Sequence, residues 1–132
     1  MNEYRVWDGK KMYYWDDLGM SLEIKGDKWI LWHTLNDGSE DVVVESDDKG
    51  ADLMWGIGLG DKNEKRIYEK DIDMANGEPM IVARVNGNSG LRYPSDPSYY
   101  IDDCILWREC NIGGNVYQHP ELLGVQNEII YG

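Results

Sequence analysis

A chain of 132 residues is long enough to bury an apolar core of its own as one compact domain. Its 25 acidic residues against 13 basic ones give a formal charge of -12, which repels phosphate backbones and disfavours direct binding to duplex nucleic acid. The charged amino terminus lacks an apolar signal core, and no run approaches the roughly 18 apolar residues of a membrane span, so we expect a soluble, cytoplasmic protein without membrane contact.

The first third of the chain carries two hairpin signals and many aromatic rings. Residues 5–7 and 12–15 predict two short strands joined by the turn that Asp8-Gly9 favours. A second hairpin is predicted over residues 22–32, with its turn at Gly26-Asp27. The next predicted elements are a β-branched strand and an exposed turn, at residues 42–44 and 46–50.

The stretch from Leu53 to Gly60 has the clearest strand pattern. Large apolar residues alternate with mostly small ones, which predicts a core strand that is apolar on one face and nearly bare on the other. The apolar set is Leu53, Trp55, Ile57 and Leu59, and the bare face is Met54, Gly56, Gly58 and Gly60. If the three glycines lie under a ring or a crossing strand, they serve packing; if they line an open groove, a partner's backbone or a ligand belongs there.

Turn chemistry divides the second half of the chain into short strands. Residues 76–79 predict a hairpin turn between strands at residues 71–75 and 80–85. Residues 86–100 are dense in Gly, Asn, Ser and Pro and predict a long loop, of the kind that is functional or mobile. The last predicted elements are two strands and one short helical turn, at residues 104–110, 112–117 and 119–124. This succession predicts an all-β barrel or sandwich.

The two cysteines, Cys104 and Cys110, lie six residues apart in one predicted strand. At about 3.3 Å per residue that strand separates them by roughly 20 Å. A disulfide needs α-carbons within about 7 Å, so we expect two unpaired, small apolar side chains in a reducing cytoplasm.

No catalytic constellation is evident, and we expect no enzyme activity, catalytic residue, metal site or cofactor. The two histidines, His33 and His119, are not spaced as ligands. Asp71 and Asp73 could share a strand face and hold a hard cation, but a solvated acidic face is the simpler interpretation. A solvated acidic face is also the expectation for the neighbouring pair Asp102 and Asp103.

Six Trp and nine Tyr exceed what a small core needs, even in a chain without Phe. Packing within the core and hairpins is the simplest explanation, and stacking on a ligand or anchoring a protein interface are the alternatives. The candidate interaction residues are Trp7, Tyr14, Trp15, Trp55, Tyr99 and Tyr100.

Three groups of residues carry a family resemblance. The central group is Gly58-Leu59, Asp61-Lys62-Asn63, Lys65, Ile67-Tyr68-Glu69 and Asp71-Ile72. The flanking groups are Arg5, Trp7-Asp8 and Lys11-Met12-Tyr13 before it, and Gly114-Asn115-Val116-Tyr117 and Pro120-Glu121-Leu122-Leu123 after it. Together they resemble the YopX family of phage and prophage proteins. The resemblance implies a small β protein with an SH3-like barrel, in a bacterial host cell, without an established biochemical activity or functional residues to carry over.

The chain departs from the family pattern at three positions. Glu64 and Lys70 stand where the family usually has glycine, and Asp73 where it usually has an apolar β-branched residue. If those glycines have positive φ, a side chain there costs roughly 1 to 2 kcal/mol. We therefore expect either a remodelled turn or Asn63 in the left-handed position.

These observations predict an aromatic N-terminal β region, residues 1–52, packed on an SH3-like barrel of residues 53–132, with one short C-terminal helical turn; the two can behave as one compact domain. We expect a non-enzymatic protein-interaction or self-assembly module, whose partner is another protein or a further copy of itself. The alternative is an acidic nucleic-acid-mimicking regulator that binds a basic host or phage protein.

Overall fold

The computed structural model describes residues 3–94 and 106–123, and over these ranges the chain is built of short antiparallel strands. In chain order they are β1 Tyr4–Trp7, β2 Met12–Tyr14, β3 Met20–Lys25, β4 Lys28–Thr34, β5 Glu40–Glu45, β6 Asp52–Gly60, β7 Arg66–Tyr68, β8 Asp71–Asp73, β9 Met80–Val85, β10 Asn88–Arg92 and β11 Ile112–Asn115. A 3-10 turn at Trp107–Glu109 and a helical turn at residues 121–123 complete the elements. The all-β prediction is confirmed. No helix within the described ranges is both long and apolar enough to cross a membrane.

The chain divides into two compact units, Met1–Trp55 and Gly56–Gly132, and β6 runs from the first into the second. The packing of an N-terminal region on a C-terminal barrel stays a prediction.

The first unit contains both predicted hairpins. β1 pairs with β2 and with the first half of β6, and β3, β4 and β5 form a separate three-stranded sheet in that order. In the first hairpin, Asp8 Oδ1 accepts the N–H groups of Lys10 and Lys11 at 2.8 and 2.7 Å, so a side chain closes the turn. The buried core of this unit is Tyr4, Val6, Leu31 and Val44.

The predicted strand at residues 42–44 is confirmed and is longer, but it is not regular. Leu31 lies opposite Val44 and Trp32 lies opposite Val42, so Val43 is an extra residue on β5. This bulge puts two valines that would share a face on opposite faces. Val44 is 1% exposed in the core, whereas Val42 is 45% exposed.

The second unit contains a four-stranded sheet in the order β10-β9-β8-β11, together with the pairing of β6 and β7. The predicted hairpin at residues 71–85 is confirmed, with Ile72 opposite Ile81. The buried core of this unit is Ile67, Val82, Leu91, Cys110 and Ile112.

Two predictions for this unit are wrong in part. Residues 88–92, expected in a long loop, form β10, because Asn86 and Gly87 adopt φ values of 53° and 83° and close a two-residue hairpin turn. Residues 107–109, expected in a strand, form a 3-10 turn in which the Cys110 N–H donates to the Trp107 carbonyl at 3.1 Å. Cys110 is a buried free cysteine, and Cys104 lies outside the described residues.

The two positions where the family usually has glycine keep a left-handed backbone. Glu64 has φ 65° and Lys70 has φ 70°, while Asn63 is not among the positive-φ residues. The expectation of a remodelled turn, or of Asn63 in the left-handed position, is therefore wrong. The chain accepts the steric cost of a side chain at both sites.

Candidate functional site: a groove beside β6

The second half of β6 carries a larger bulge than β5. Gly56 lies opposite Tyr68 and Gly60 opposite Arg66, so four steps along β6 face two steps along β7, which leaves two extra residues on β6. Gly58, with φ 85°, lies within this bulge. The left-handed conformation favours glycine. Because the backbone is irregular here, Ile57 and Leu59 have different environments. Ile57 packs against the second core, but Leu59 is 49% exposed.

The predicted apolar face of residues 53–59 is therefore divided. Leu53 and Trp55 pack against the first core and Ile57 against the second, whereas Leu59 is 49% exposed. Over the first half of the strand the nearly bare face is covered, since Met54 is 1% exposed and Gly56 is buried.

Gly58 and Gly60 line an open groove, which we call the β6 groove, of about 750 Å³. Its lining residues are Gly58, Leu59, Gly60, Asp61, Lys62, Glu64, Arg66, Leu106, Trp107 and Arg108. Leu106 is 69% exposed, and the Trp107 ring is partly buried against the second core. Three basic side chains and two acidic ones line the groove, in a chain whose formal charge is -12. The groove thus combines exposed apolar groups with a local excess of positive charge.

Asp61 fixes the turn between β6 and β7. Its Oδ1 accepts the N–H groups of Asn63 and Lys65 at 2.8 and 2.9 Å, and its Oδ2 accepts the N–H of Ile112 at 3.0 Å. Burial favours the protonated carboxyl, but hydrogen bonds from these three N–H groups outweigh it and lower the pKa of Asp61. The carboxylate is thus a structural brace.

Main-chain and side-chain hydrogen bonds join the β6–β7 turn to residues 110–112, which follow the 3-10 turn. The Lys62 N–H donates to the Cys110 carbonyl at 3.0 Å, and the Asn63 amide Nδ2 donates to Asn111 Oδ1 at 3.3 Å. With the bond from Ile112 to Asp61, these contacts connect the β6–β7 turn to the segment that follows the 3-10 turn. The groove is therefore held in shape before any partner binds.

The acid pair on β8 is buried, so the interpretation as a solvated face is wrong. Asp71 and Asp73 are each 2% exposed. Asp71 Oδ2 accepts the Tyr68 N–H at 2.8 Å, and Asp73 Oδ1 accepts the N–H groups of Asn111 and Ala75 at 2.8 and 3.1 Å. Buried carboxylates with such partners stabilise turns and strand ends. Asp102 and Asp103 lie outside the described residues.

The two histidines and Cys110, which could in principle bind a metal or act in catalysis, are in contact with other parts of their own unit. The His119 Nδ1 accepts the Asn115 N–H at 3.1 Å, and the ring lies against Gly114. The ring of His33 lies beside Gly19 at the end of the β3–β4 sheet. Burial, followed by the nearby charges of Asp73 and Asp61, raises the pKa of the Cys110 thiol to about 12. Within residues 3–94 and 106–123, no group of three or more His, Cys, Asp or Glu is arranged to hold a metal ion.

The four predicted aromatic interaction residues that the structure describes, Trp7, Tyr14, Trp15 and Trp55, are not all on one face. Trp7 and Tyr14 lie on the face of β1 and β2 that also carries buried Arg5. Trp55 lies on the opposite face, where its ring meets Tyr4 edge-on at 6.1 Å and 73°. Trp15 is 39% exposed. Tyr99 and Tyr100 lie outside the described residues, and the interaction role of all six stays a prediction.

Sequence reasoning missed Trp107 and Leu106, which it placed in a regular strand. The signal that could have found the groove is a glycine in the middle of an otherwise apolar strand, because such a glycine often marks a bulge.

A small all-β protein of two compact units, with a preformed groove beside a bulged strand, is the class that these observations define. The chain matches the sequence model of the family described as "YopX protein" over residues 3–124, and it belongs to this family. The resemblance deduced from the sequence is therefore confirmed.

Individual relatives agree with this assignment. The chain is 37% identical over 131 residues to the SPbeta prophage-derived uncharacterized protein YopX of Bacillus subtilis (strain 168), with 91% of this chain and 94% of the relative covered. It is similar to the crystal structure of protein yopX from Bacillus subtilis, with a TM-score of 0.71, 31% identity and coverage of 91% and 96%. Protein EF1440 from Enterococcus faecalis, with a TM-score of 0.56, 20% identity and coverage of 92% and 96%, shows likeness of fold alone.

Proposed function

We propose that this protein is a non-enzymatic protein-interaction module of phage or prophage origin, and that the β6 groove is its contact surface. The observation that carries the proposal is that exposed Leu59 and Leu106 line one concave site together with Trp107. Fully burying a leucine contributes about 1.5 to 3 kcal/mol, so covering two half-exposed leucines favours binding by a similar amount. Exposed apolar groups in a cleft are typical of interaction sites.

The groove suits an extended segment of a partner protein. Gly58 has no side chain, which lets a partner's backbone approach β6 closely, whereas a β-carbon at Gly60 would meet the chain's own Glu64 backbone at 3.2 Å. Lys62 and Arg108 are exposed at the groove, where they would attract carboxylates that flank an apolar residue of the partner.

Origin and architecture are part of the same proposal. The Bacillus subtilis relative is described as prophage-derived, and we assign a phage or prophage origin and a bacterial cytoplasmic location to this chain as well. We also propose that the strands of the second unit form the SH3-like barrel that the family resemblance implies, which its antiparallel order β10-β9-β8-β11 supports.

The side chains around the groove support a role in binding rather than in catalysis. Asp61 is committed to three backbone N–H groups, and the Cys110 thiol is 3% exposed with a raised pKa. Neither side chain is available as a proton carrier or nucleophile at the groove.

The alternative of acidic nucleic-acid mimicry has weaker support. Several aspartates accept backbone N–H groups at turns and strand ends, so part of the acidity stabilises the fold rather than facing a partner. They are Asp8, Asp17, Asp37, Asp48, Asp61, Asp71 and Asp73.

Site-specific photo-crosslinking tests the groove. A photoreactive residue at position 59 or 106 of the full chain, in host lysate with and without phage infection, should give the same protein adduct from both positions. The matched control is position 18, since Leu18 is 94% exposed in a turn of the first unit and should give no such adduct.

The crosslinked protein is then purified and its affinity for the chain measured. Leu59→Asp should weaken binding by about tenfold or more, a loss of at least about 1.4 kcal/mol, while Leu18→Asp leaves it unchanged. Adducts of equal yield from all three positions, or an affinity that Leu59→Asp does not change, would contradict the proposal.

A further inference from the structure

The outer face of the three-stranded sheet in the first unit carries a second surface with exposed apolar side chains. Residues directly opposite each other in antiparallel strands share a face. Glu23, Ile30 and Glu45 form one such row across β3, β4 and β5, and Trp32 lies opposite Val42 in the next. With Glu40, which lies opposite Thr34, these residues define the acidic sheet face: Glu23, Ile30, Trp32, Glu40, Val42 and Glu45. Lys25 and Lys28, opposite each other beside the β3–β4 turn, lie on the same side of the sheet.

The bulge in β5 places an apolar residue, Val42, on this face at the edge of the sheet. Without the extra residue Val43, Val42 would lie on the same face as Val44 and be buried. With the bulge, Val42 stands 45% exposed beside the partly buried ring of Trp32. β5 is an edge strand of its sheet, so Val42 and Glu40 lie at a rim that can enter a groove.

The carboxylates of the acidic sheet face, Glu23, Glu40 and Glu45, surround the Trp32 ring. The Trp32 Nε1 donates to Glu23 Oε1 at 3.0 Å, which fixes the indole. Glu40 and Glu45 are exposed. A hollow of about 140 Å³ lies over Ile30 between Glu23 and Glu45, with room for one side chain of a partner. Two lysines also line it, and each is already paired: Lys25 with Glu23 at 3.3 Å and Lys28 with Asp47 at 3.0 Å.

The acidic sheet face and the β6 groove are complementary. Each has an apolar residue turned outward by a bulge, Val42 in one and Leu59 in the other, next to a tryptophan. The first is flanked by exposed carboxylates, and the second by exposed Lys62 and Arg108. Opposite charge around matching apolar centres is the pattern that fixes partner choice and register at an interface.

We infer that the occupant of the β6 groove is a second copy of this chain, which inserts the β5 rim of its acidic sheet face. The inference rests on the proposed function, in which this groove is the contact surface. Because two different patches meet, one copy of a pair keeps an unused groove and the other an unused acidic sheet face, and the contact extends into a ring or a filament. The formal charge of -12 opposes association, so the assembly is weak and depends on concentration.

Sedimentation of two charge-reversed variants tests the inference. The groove variant Lys62→Glu/Arg108→Glu and the face variant Glu40→Lys/Glu45→Lys should each be monomeric at concentrations where the unaltered chain associates. An equimolar mixture should associate again, because it brings together an intact groove and an intact face. Val42→Thr, which keeps a β-branched side chain, should weaken association without charge reversal.

A matched control separates local from overall charge. Glu78→Lys/Glu121→Lys removes two exposed carboxylates of the second unit and changes the formal charge from -12 to -8, as the face variant does. If overall repulsion alone governed association, both variants would associate more strongly than the unaltered chain. Self-association through these patches predicts instead that the face variant loses association and the control keeps it.

Two results would overturn the inference: an unaltered chain that stays monomeric up to about 1 mM, which corresponds to about -4.1 kcal/mol, or a face variant that associates as the unaltered chain does. Neither result touches the proposed function, since crosslinking from position 59 to a different protein would still support the groove as a contact surface.

Discussion

The bulges in β5 and β6 turn an apolar side chain outward in two different ways. In β5 the extra residue is Val43, and the bulge contains no glycine. In β6 two extra residues are accommodated around Gly58, whose φ of 85° disfavours any side chain. The exposure of Val42 therefore follows from a shift in pairing register alone, whereas the register shift that exposes Leu59 also contains a left-handed glycine.

The two units also differ in how they build their turns. In the first unit, the positive-φ positions that the structure describes are all glycines, such as Gly9, Gly26 and Gly38. In the second unit, Glu64, Lys70 and Asn86 adopt positive φ as well. The second unit thus stores backbone strain at residues other than glycine, and one of them, Glu64, lines the groove.

Removing the Asp61 carboxylate should have the largest effect on the free energy of unfolding. Asp61→Ala leaves three backbone N–H groups without their charged acceptor, one of them on buried Ile112, and should lower the free energy of unfolding by about 3 kcal/mol. Urea unfolding measures the loss. Asp37→Ala removes a similar carboxylate from an exposed turn and should cost far less. Equal losses would mean that Asp61 does not brace the groove.

The same carboxyl gives the fold a defined sensitivity to acid. Although burial opposes ionisation, the three N–H groups lower the pKa of Asp61 in the folded state. Its stabilisation is therefore present above the unfolded pKa of about 3.9 and is lost as pH falls through the lower folded value. Between about pH 5 and pH 2, the unaltered chain should lose more stability than Asp61→Asn, which cannot titrate there. Parallel losses in the two proteins would refute this assignment.

Gly58→Ala should separate the strain of the β6 bulge from its role in binding. At φ 85° a β-carbon costs roughly 1 to 2 kcal/mol. Gly38→Ala, at φ 88° in an exposed turn with open space around it, should cost a similar amount. Only Gly58→Ala should also reduce crosslinking from position 59, because Gly58 lines the groove. Reduced crosslinking from both variants would show that the β6 bulge is not specifically required for binding at the groove.

Relief of strain in the β6–β7 turn should give the smallest effect. Glu64→Gly should raise the free energy of unfolding by about 0.5 to 1 kcal/mol. It removes a side chain from a left-handed position, and the greater conformational entropy of glycine in the unfolded chain offsets only part of that gain. Glu64→Ala keeps the β-carbon and should bring no gain. Thermal unfolding compares the two, and a gain from alanine equal to that from glycine would point to the charge of Glu64 instead.

Elements whose signal is local could be predicted from the sequence. The turns at Asp8-Gly9 and Gly26-Asp27 define hairpins because the residues that close them are adjacent in the chain. The turn at Asn86-Gly87 carries the same signal, and β10 was missed because the surrounding polar residues were interpreted as one long loop.

Features that depend on distant pairing could not be predicted. The alternation of Leu53 to Leu59 is the same in a regular and a bulged strand, so it does not reveal that Leu59 turns outward. The burial of Asp73 depends on Asn111, 38 residues later in the chain. Both candidate contact surfaces belong to this class, since each is made by a shift in register between strands.

Disulfide trapping between copies measures whether the β5 rim of one copy lies in the β6 groove of another. Chains carrying Val42→Cys are mixed with chains carrying Leu59→Cys, all with Cys104→Ser, while Cys110 stays buried at 3% exposure. A 42–59 disulfide between copies should form at least about tenfold faster than one between positions 18 and 59, because a close contact raises the effective concentration of the two thiols. Equal rates for the two pairs, despite the greater exposure of Leu18, would contradict it.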